Sequence, residues 1–171
     1  MDIVGFYHHI KNNMIPDNMN QEAMGTGNQR RTADDWTLEF AECLMNGRKD
    51  VFGYDYKVKM HKQLLEVKND ADVLCVAEVG RGLDILFSNS VKKWKKIICY
   101  DHNRIYDEYL HRYFDDSVEF HNVPTHVFVE KINDYIKEKC IMVMNHTRFR
   151  KFDLIKENKN IVHLIFNGDL V

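Results

Sequence analysis

A chain of 171 residues, 44% hydrophobic and 29% charged, is sized and composed for one globular domain with a core of useful size. Its formal net charge of −2 supplies no general basic field. A nucleic-acid partner is therefore not expected, and any such contact would need a local patch. No run reaches the roughly 18 apolar residues of a membrane span. The start "MDIVGFYHHIKNN" lacks the basic residues and long apolar stretch of a signal peptide, so a cytoplasmic protein without membrane contact is expected. Cys43, Cys75, Cys99 and Cys140 show no close pairing, and three lie in or beside apolar runs. They read as small buried hydrophobes of a reducing compartment, not as a disulfide framework or zinc site.

Residues 1–70 read as a helical extension or lid. Ile3, Tyr7, Ile10 and Met14 make one face of a short helix after Asp2. Thr32 and Asp35 form a capping-box start for a second helix that carries Trp36, Phe40 and Leu44 and ends near Gly47. A third helix is predicted over about 55–69, with Met60, Leu64 and Val67 inward. The polar 16–31 segment is long enough for a lid, and Arg30 and Arg31 adjoin it, placed to grip an anionic acceptor or simply exposed. His8 and His9 are adjacent on one helix, point in different directions and do not make a metal pair.

From residue 71 to 171, strand-length apolar runs alternate with helical patterns, which predicts a parallel sheet covered by helices. The runs are "DVLCVAE", "KKIICYD", "SVEFHN", "CIMVMNH" and "NIVHLIFN". Their Val, Ile, Cys and Met content without strict alternation suits strands buried on both faces. Helices are predicted at about 83–93, 103–114, 126–138 and 148–158. Right-handed crossovers then give an α/β, Rossmann-like, doubly wound, mainly parallel five-stranded sheet in the order 3-2-1-4-5. "KKWKK", Lys92 to Lys96, falls at the amino-terminal rim and reads as a solvated turn.

In such a sheet, ligands bind beyond the carboxyl ends of the strands, near the switch in strand order. Those ends carry Glu78, Gly80 and Gly82; Asp101, His102 and Asn103; His121 and Asn122; Asn145 and His146; and Asn167, Gly168 and Asp169. Gly80 and Gly82 allow positive φ and close backbone approach. Asp101 follows about 20 residues later, where a carboxylate can accept both hydroxyls of a ribose. The third glycine of a dinucleotide fingerprint is missing, and Asp84 at the following helix start should repel a pyrophosphate. NAD is accordingly disfavoured.

The arrangement "VLCVAEVGRGLDILF", acid-x-Gly-x-Gly at the first strand end with "IICYD" at the second, resembles class I S-adenosylmethionine-dependent methyltransferases over about 72–171. The resemblance implies that S-adenosylmethionine is the cofactor. Glu78 would lie near its methionine part, Gly80 and Gly82 would make room for it, and Asp101, with His102 beside it, would hold the ribose. His121 and Asn122 would lie near the adenine. The sheet is expected to be a reduced version lacking the family's last two strands, and the open edge implies a homo-oligomer.

On the acceptor side, "MNHTRF" offers Asn145 and His146 as catalytic residues, the imidazole suited to remove a proton. His146 reads equally as a helix cap. The prolines that follow such an Asn in amino-methylating relatives are absent, which points to a small-molecule acceptor. The segment loosely resembles a subgroup of O-methyltransferases that hold a divalent metal here; Asn145, His146 and Asp169 would be the ligands, with Asn in place of an acid. The reading is thus a methyltransferase of a small acceptor, its alternative a non-catalytic assembly protein that binds S-adenosylmethionine or a nucleotide.

Overall fold

In a computed structural model of the chain, which describes residues 54–80, 82–89, 91–145 and 147–171, the apolar runs form the strands of one sheet. The first two N-terminal helices, the 16–31 segment with Arg30 and Arg31, His8, His9, Cys43 and His146 lie outside the described residues. Asp55–Val171 make one compact unit. The strands are β1 (Val73–Val76), β2 (Lys96–Asp101), β3 (Val118–Asn122), β4 (Cys140–Met144), β5 (Ile161–Phe166) and β6 (Asp169–Leu170). The helices are α1 (Tyr54–Val67), α2 (Leu83–Asn89), α3 (Ile105–Tyr113), α4 (Thr125–Glu130), α5 (Ile132–Tyr135) and α6 (Phe152–Lys156).

The sheet order is β3-β2-β1-β4-β5-β6. The first five strands pair in parallel, as the sequence predicts, with Val76 opposite both Cys99 and Val143. The sixth corrects the expectation of five: β6 pairs antiparallel with β5, Phe166 opposite Asp169. Asn167 and Gly168 form the two-residue turn between them, with φ of 47° and 86°. Positive φ at both positions is what a tight Asn-Gly hairpin requires. The β5 edge on which an oligomer was expected is therefore occupied along Ile165 and Phe166.

Alternation along each strand sends side chains to two apolar layers. Leu74, Val76, Cys99, Ile141 and Val143 pack with Met60 and Leu64 of α1, Ile85 of α2 and Leu110 of α3. Cys75, Ile98, Tyr100, Met142 and Leu164 pack with Phe128 of α4, Ile132 of α5 and Ile155 of α6. The chain winds outward on one face from β1 to β3 and returns on the other to β4, placing the switch point between β1 and β4. Helices are shorter than the periodicity predicts. The 126–138 segment breaks at Lys131 (φ −109°, ψ 25°) among β-branched residues that favour helix weakly.

The "KKWKK" run does lie at the amino-terminal rim, but as a buttress more than a solvated turn. Lys92 donates to the carbonyls of Lys68 and Ala71 at 2.6 and 2.7 Å and lies over the Trp94 ring. Lys95 and Lys96 pair with Glu138 and Glu119 at 3.0 and 3.2 Å. Cys75, Cys99 and Cys140 are buried and free, as expected. Burial pushes the Cys140 thiol up to about 12, and the Cys99 thiol higher still, so neither is a nucleophile.

Candidate functional site

The loop after β1 is pinned from both sides. Ala77 N–H donates to Val143 O of β4 and Val79 N–H to Tyr100 O of β2, each at 3.0 Å. Between those anchors Glu78 has φ of 46°, and just beyond them Gly80 has 52° and Gly82 85°. Positive φ in a non-glycine residue is uncommon and concentrates at functional loops. Glu78 is exposed. The two glycines serve different ends. Among the described residues, a Cβ on Gly80 would meet nothing within 4 Å, so the backbone there faces open space with respect to them. A Cβ on Gly82 would stand 2.6 Å from the Phe114 ring and 2.9 Å from Leu110. The room at Gly82 is thus taken up by the α3 end of the molecule, where the sequence reading had assigned it to a cofactor.

Asp101 closes the cradle. One carboxylate oxygen accepts from Gly80 N–H at 3.1 Å, the other from Asn103 N–H at 3.0 Å. The residue is only 4% exposed. An ionised carboxylate has about four acceptor positions, so two more are free to receive donors. His102, mostly exposed, brings Nδ1 to 3.3 Å from the same carboxylate. Asn122, opposite Asp101 in the ladder, donates to the carbonyls of Asp101 and His102 at 3.1 and 3.0 Å. Gly80, Asp101, His102 and Asn122 are therefore one connected group.

His121 is not part of it. Neighbouring residues of a strand face opposite sides, so His121 points with Tyr100 away from the Asp101 side. Its ring lies 4.6 Å from Tyr135, at the end of a stack formed by Tyr100, Phe128 and Tyr135, and its Nε2 is 2.8 Å from Glu119.

Asn145, at the carboxyl end of β4, is buried beside residues that the sequence reading left out. Its amide nitrogen donates to Asp84 at 3.2 Å and approaches the Met60 sulfur at 3.3 Å. Asp84 pairs with Lys57 at 2.7 Å, and the three polar residues are between 4% and 7% exposed. The Asn145 Oδ1 is buried with no hydrogen-bond partner among the described residues. Lys57 had a detectable signal: it sits three residues before Met60 on the stripe that continues to Leu64 and Val67. A lysine on a buried stripe needs a carboxylate partner. Asp84 is consequently neutralised, and its charge does not exclude a pyrophosphate in the way the sequence suggested.

Beyond Asn145 the chain turns outward through Thr147, whose hydroxyl accepts from Phe149 N–H at 3.2 Å. Asp169 is exposed in β6. Among the described residues no group of three His, Cys, Asp or Glu is placed to hold a metal ion, and the set of Asn145, His146 and Asp169 includes one residue outside the description. Among the described residues no helix is long and apolar enough to cross a membrane.

No family model and no curated protein matches the chain. Among solved structures it is similar to an rRNA methylase from Streptococcus thermophilus, at 18% identity and a TM-score of 0.48. That match covers 62% of this chain and 66% of the methylase, just under two thirds of its length.

Proposed function

We propose that the rim formed by 78–80, Gly82 and 101–103 binds S-adenosylmethionine and that the chain transfers its methyl group to an acceptor held over β4 and β5. The observation that carries this reading is the bond from Gly80 N–H to Asp101 at 3.1 Å. It joins the acid-x-Gly-x-Gly turn to the acid at the next strand end, the two features on which the resemblance rests. The open space at Gly80 fits a ligand laid against the backbone, and Asp101 keeps acceptor positions for ribose hydroxyls. Bound there, the cofactor supplies an electrophilic methyl group on a sulfonium. The residues of this chain then have mostly positioning to do, with a base needed only where the acceptor must lose a proton. His146 is the base offered by the sequence, and Asn145 Oδ1 the nearby acceptor of a hydrogen bond.

One observation favours a second reading. With Asp84 paired to Lys57, a nucleotide with a pyrophosphate meets no uncompensated charge at α2. Calorimetry of the full chain with S-adenosylmethionine, S-adenosylhomocysteine, NAD and ATP separates the two. Micromolar binding of the first pair alone, lost at least 100-fold in Asp101→Ala, is the expected result. Binding of NAD or ATP alone would overturn it in favour of the nucleotide.

A further inference from the structure

The net charge set a condition: nucleic-acid contact would need a local patch. The segment after Asn145 meets it. Residues 147–160 hold five cations against two carboxylates, and three of the five, Arg148, Arg150 and Lys151, are exposed on the short turn 148–151 that leads into α6. None of the three forms an ion pair among the described residues. Arg150 is also pre-ordered. Its Nη1 donates to the carbonyls of Thr147 and Phe149 at 2.8 and 3.1 Å, and its guanidinium lies 4.5 Å from the Phe166 ring centroid at the end of β5. Both bonds use one nitrogen, so among the described residues Nε and Nη2 are left for an anion, and little side-chain entropy is lost on binding. Aromatic rings interleave with the charges: Phe149 and Phe152 are half-buried, and Phe152 lies 4.8 Å from Phe166.

We propose that this turn docks single-stranded nucleic acid, its cations on successive phosphates and its phenylalanine edges against bases. Unpaired cations spaced along an extended turn suit a chain of phosphates better than a single one. Phe149 and Phe152 pack against the core but stay half-buried beside those cations, leaving ring edge for contact with bases, which a small phosphorylated molecule without a base cannot use. The turn begins three residues after Asn145, beyond the carboxyl end of β4, and β4 pairs with the strand that carries the cradle, so a docked strand would lie on the same rim as the site. That the strand is also the methyl acceptor rests on the reading given above; that it docks here does not.

The test is fluorescence anisotropy of the full chain with a labelled oligouridylate of about twelve nucleotides, run without S-adenosylmethionine. With three phosphate contacts on a single strand, affinity is expected to fall about twenty-fold between about 50 and 200 mM salt, and only about seven-fold in Arg150→Gln. The double variant Arg148→Gln/Lys151→Gln removes no side-chain hydrogen bond or ion pair among the described residues, and a thermal melt checks its folding; it should lose most of the binding, whereas Lys93→Gln/Lys95→Gln at the opposite rim should lose none. Absence of binding at the lower salt, binding unchanged in the Arg148/Lys151 variant, or competition by UMP as effective as by the oligomer would each overturn the proposal. Because the titration omits the cofactor, a chain that binds the strand but not S-adenosylmethionine would keep this inference and lose the previous one, and the reverse result would do the opposite.

Discussion

The two rims of the sheet use the same residue types to opposite ends. At the amino rim, Lys92, Lys95 and Lys96 are committed to carbonyls and carboxylates, and His163 of β5 meets Asp70 at 2.7 Å. At the carboxyl rim, among the described residues, Arg148, Arg150 and Lys151 have no carboxylate partner and Asn145 Oδ1 is unsatisfied, and Glu78, Gly80 and Gly82 take positive φ. Positive φ and a buried, unsatisfied acceptor gather at the carboxyl end, where the fold itself has no need of them. The contrast teaches where binding is to be sought, because groups left unsatisfied by the protein are those available to a partner.

The largest test of this contrast is at the one charge pair sealed inside among the described residues. Lys57→Met leaves Asp84 buried without a cation and should cost about 3–5 kcal/mol, whereas the further change Asp84→Leu should recover much of it. By comparison, Lys95→Gln breaks an exposed pair at the amino rim and should cost at most about 0.5 kcal/mol. Urea denaturation of the four proteins, wild type included, gives all three differences. Equal costs for Lys57→Met and Lys95→Gln would mean that the buried pair is solvated and that Asn145 is not held as described.

The two cradle glycines should separate stability from binding. Gly82→Ala meets Phe114 and Leu110 as well as an unfavourable φ, so a loss of about 2–3 kcal/mol is expected. Gly80→Ala meets only the backbone penalty, about 1 kcal/mol, yet its new methyl projects into the open space where a ligand would lie. It should therefore weaken S-adenosylmethionine more than it lowers the melting temperature. Calorimetry beside thermal melts checks both, and an unchanged affinity in Gly80→Ala would move the ligand away from this turn.

Much of this frame was legible in the sequence because it rests on local pattern. Buried strands announce themselves as unbroken Val, Ile, Cys and Met runs, and strand order follows from handed crossovers. The sixth strand was also legible and was missed: Asn167 and Gly168 between "LIF" and "DL" are a hairpin signal, weakened by having only three residues after it. What no local pattern gave was which polar residues meet. Lys57 and Asp84 are 27 residues apart, and Asp84 and Asn145 are 61 apart. Their meeting depends on α1 and α2 sharing one face of the sheet. Adjacency in sequence groups His121 with Asn122, but in a strand it means opposite faces, so the structure sets them apart.

The smallest expected effect concerns α1, the helix that holds Lys57 at one end. Burial lowers the pKa of His61 from its ordinary 6.5. Below that value the unfolded chain takes up a proton that the folded one resists, so stability should fall as pH drops through 6.5 toward the folded pKa, and level off beneath it. Hydrogen bonds from Ser117 hold Asp115 below its ordinary 3.8. Burial raises Glu119, but hydrogen bonds from His121 and Lys96 outweigh it and leave the net value below 4.5. The stability from these two carboxylates is present above their unfolded values and is lost only in stronger acid. Melting temperatures between about pH 7 and 5.5 should therefore slope in the wild type and flatten in His61→Gln. An identical slope in the variant would assign the acid sensitivity to another group and leave the packing of α1 at His61 looser than its burial indicates.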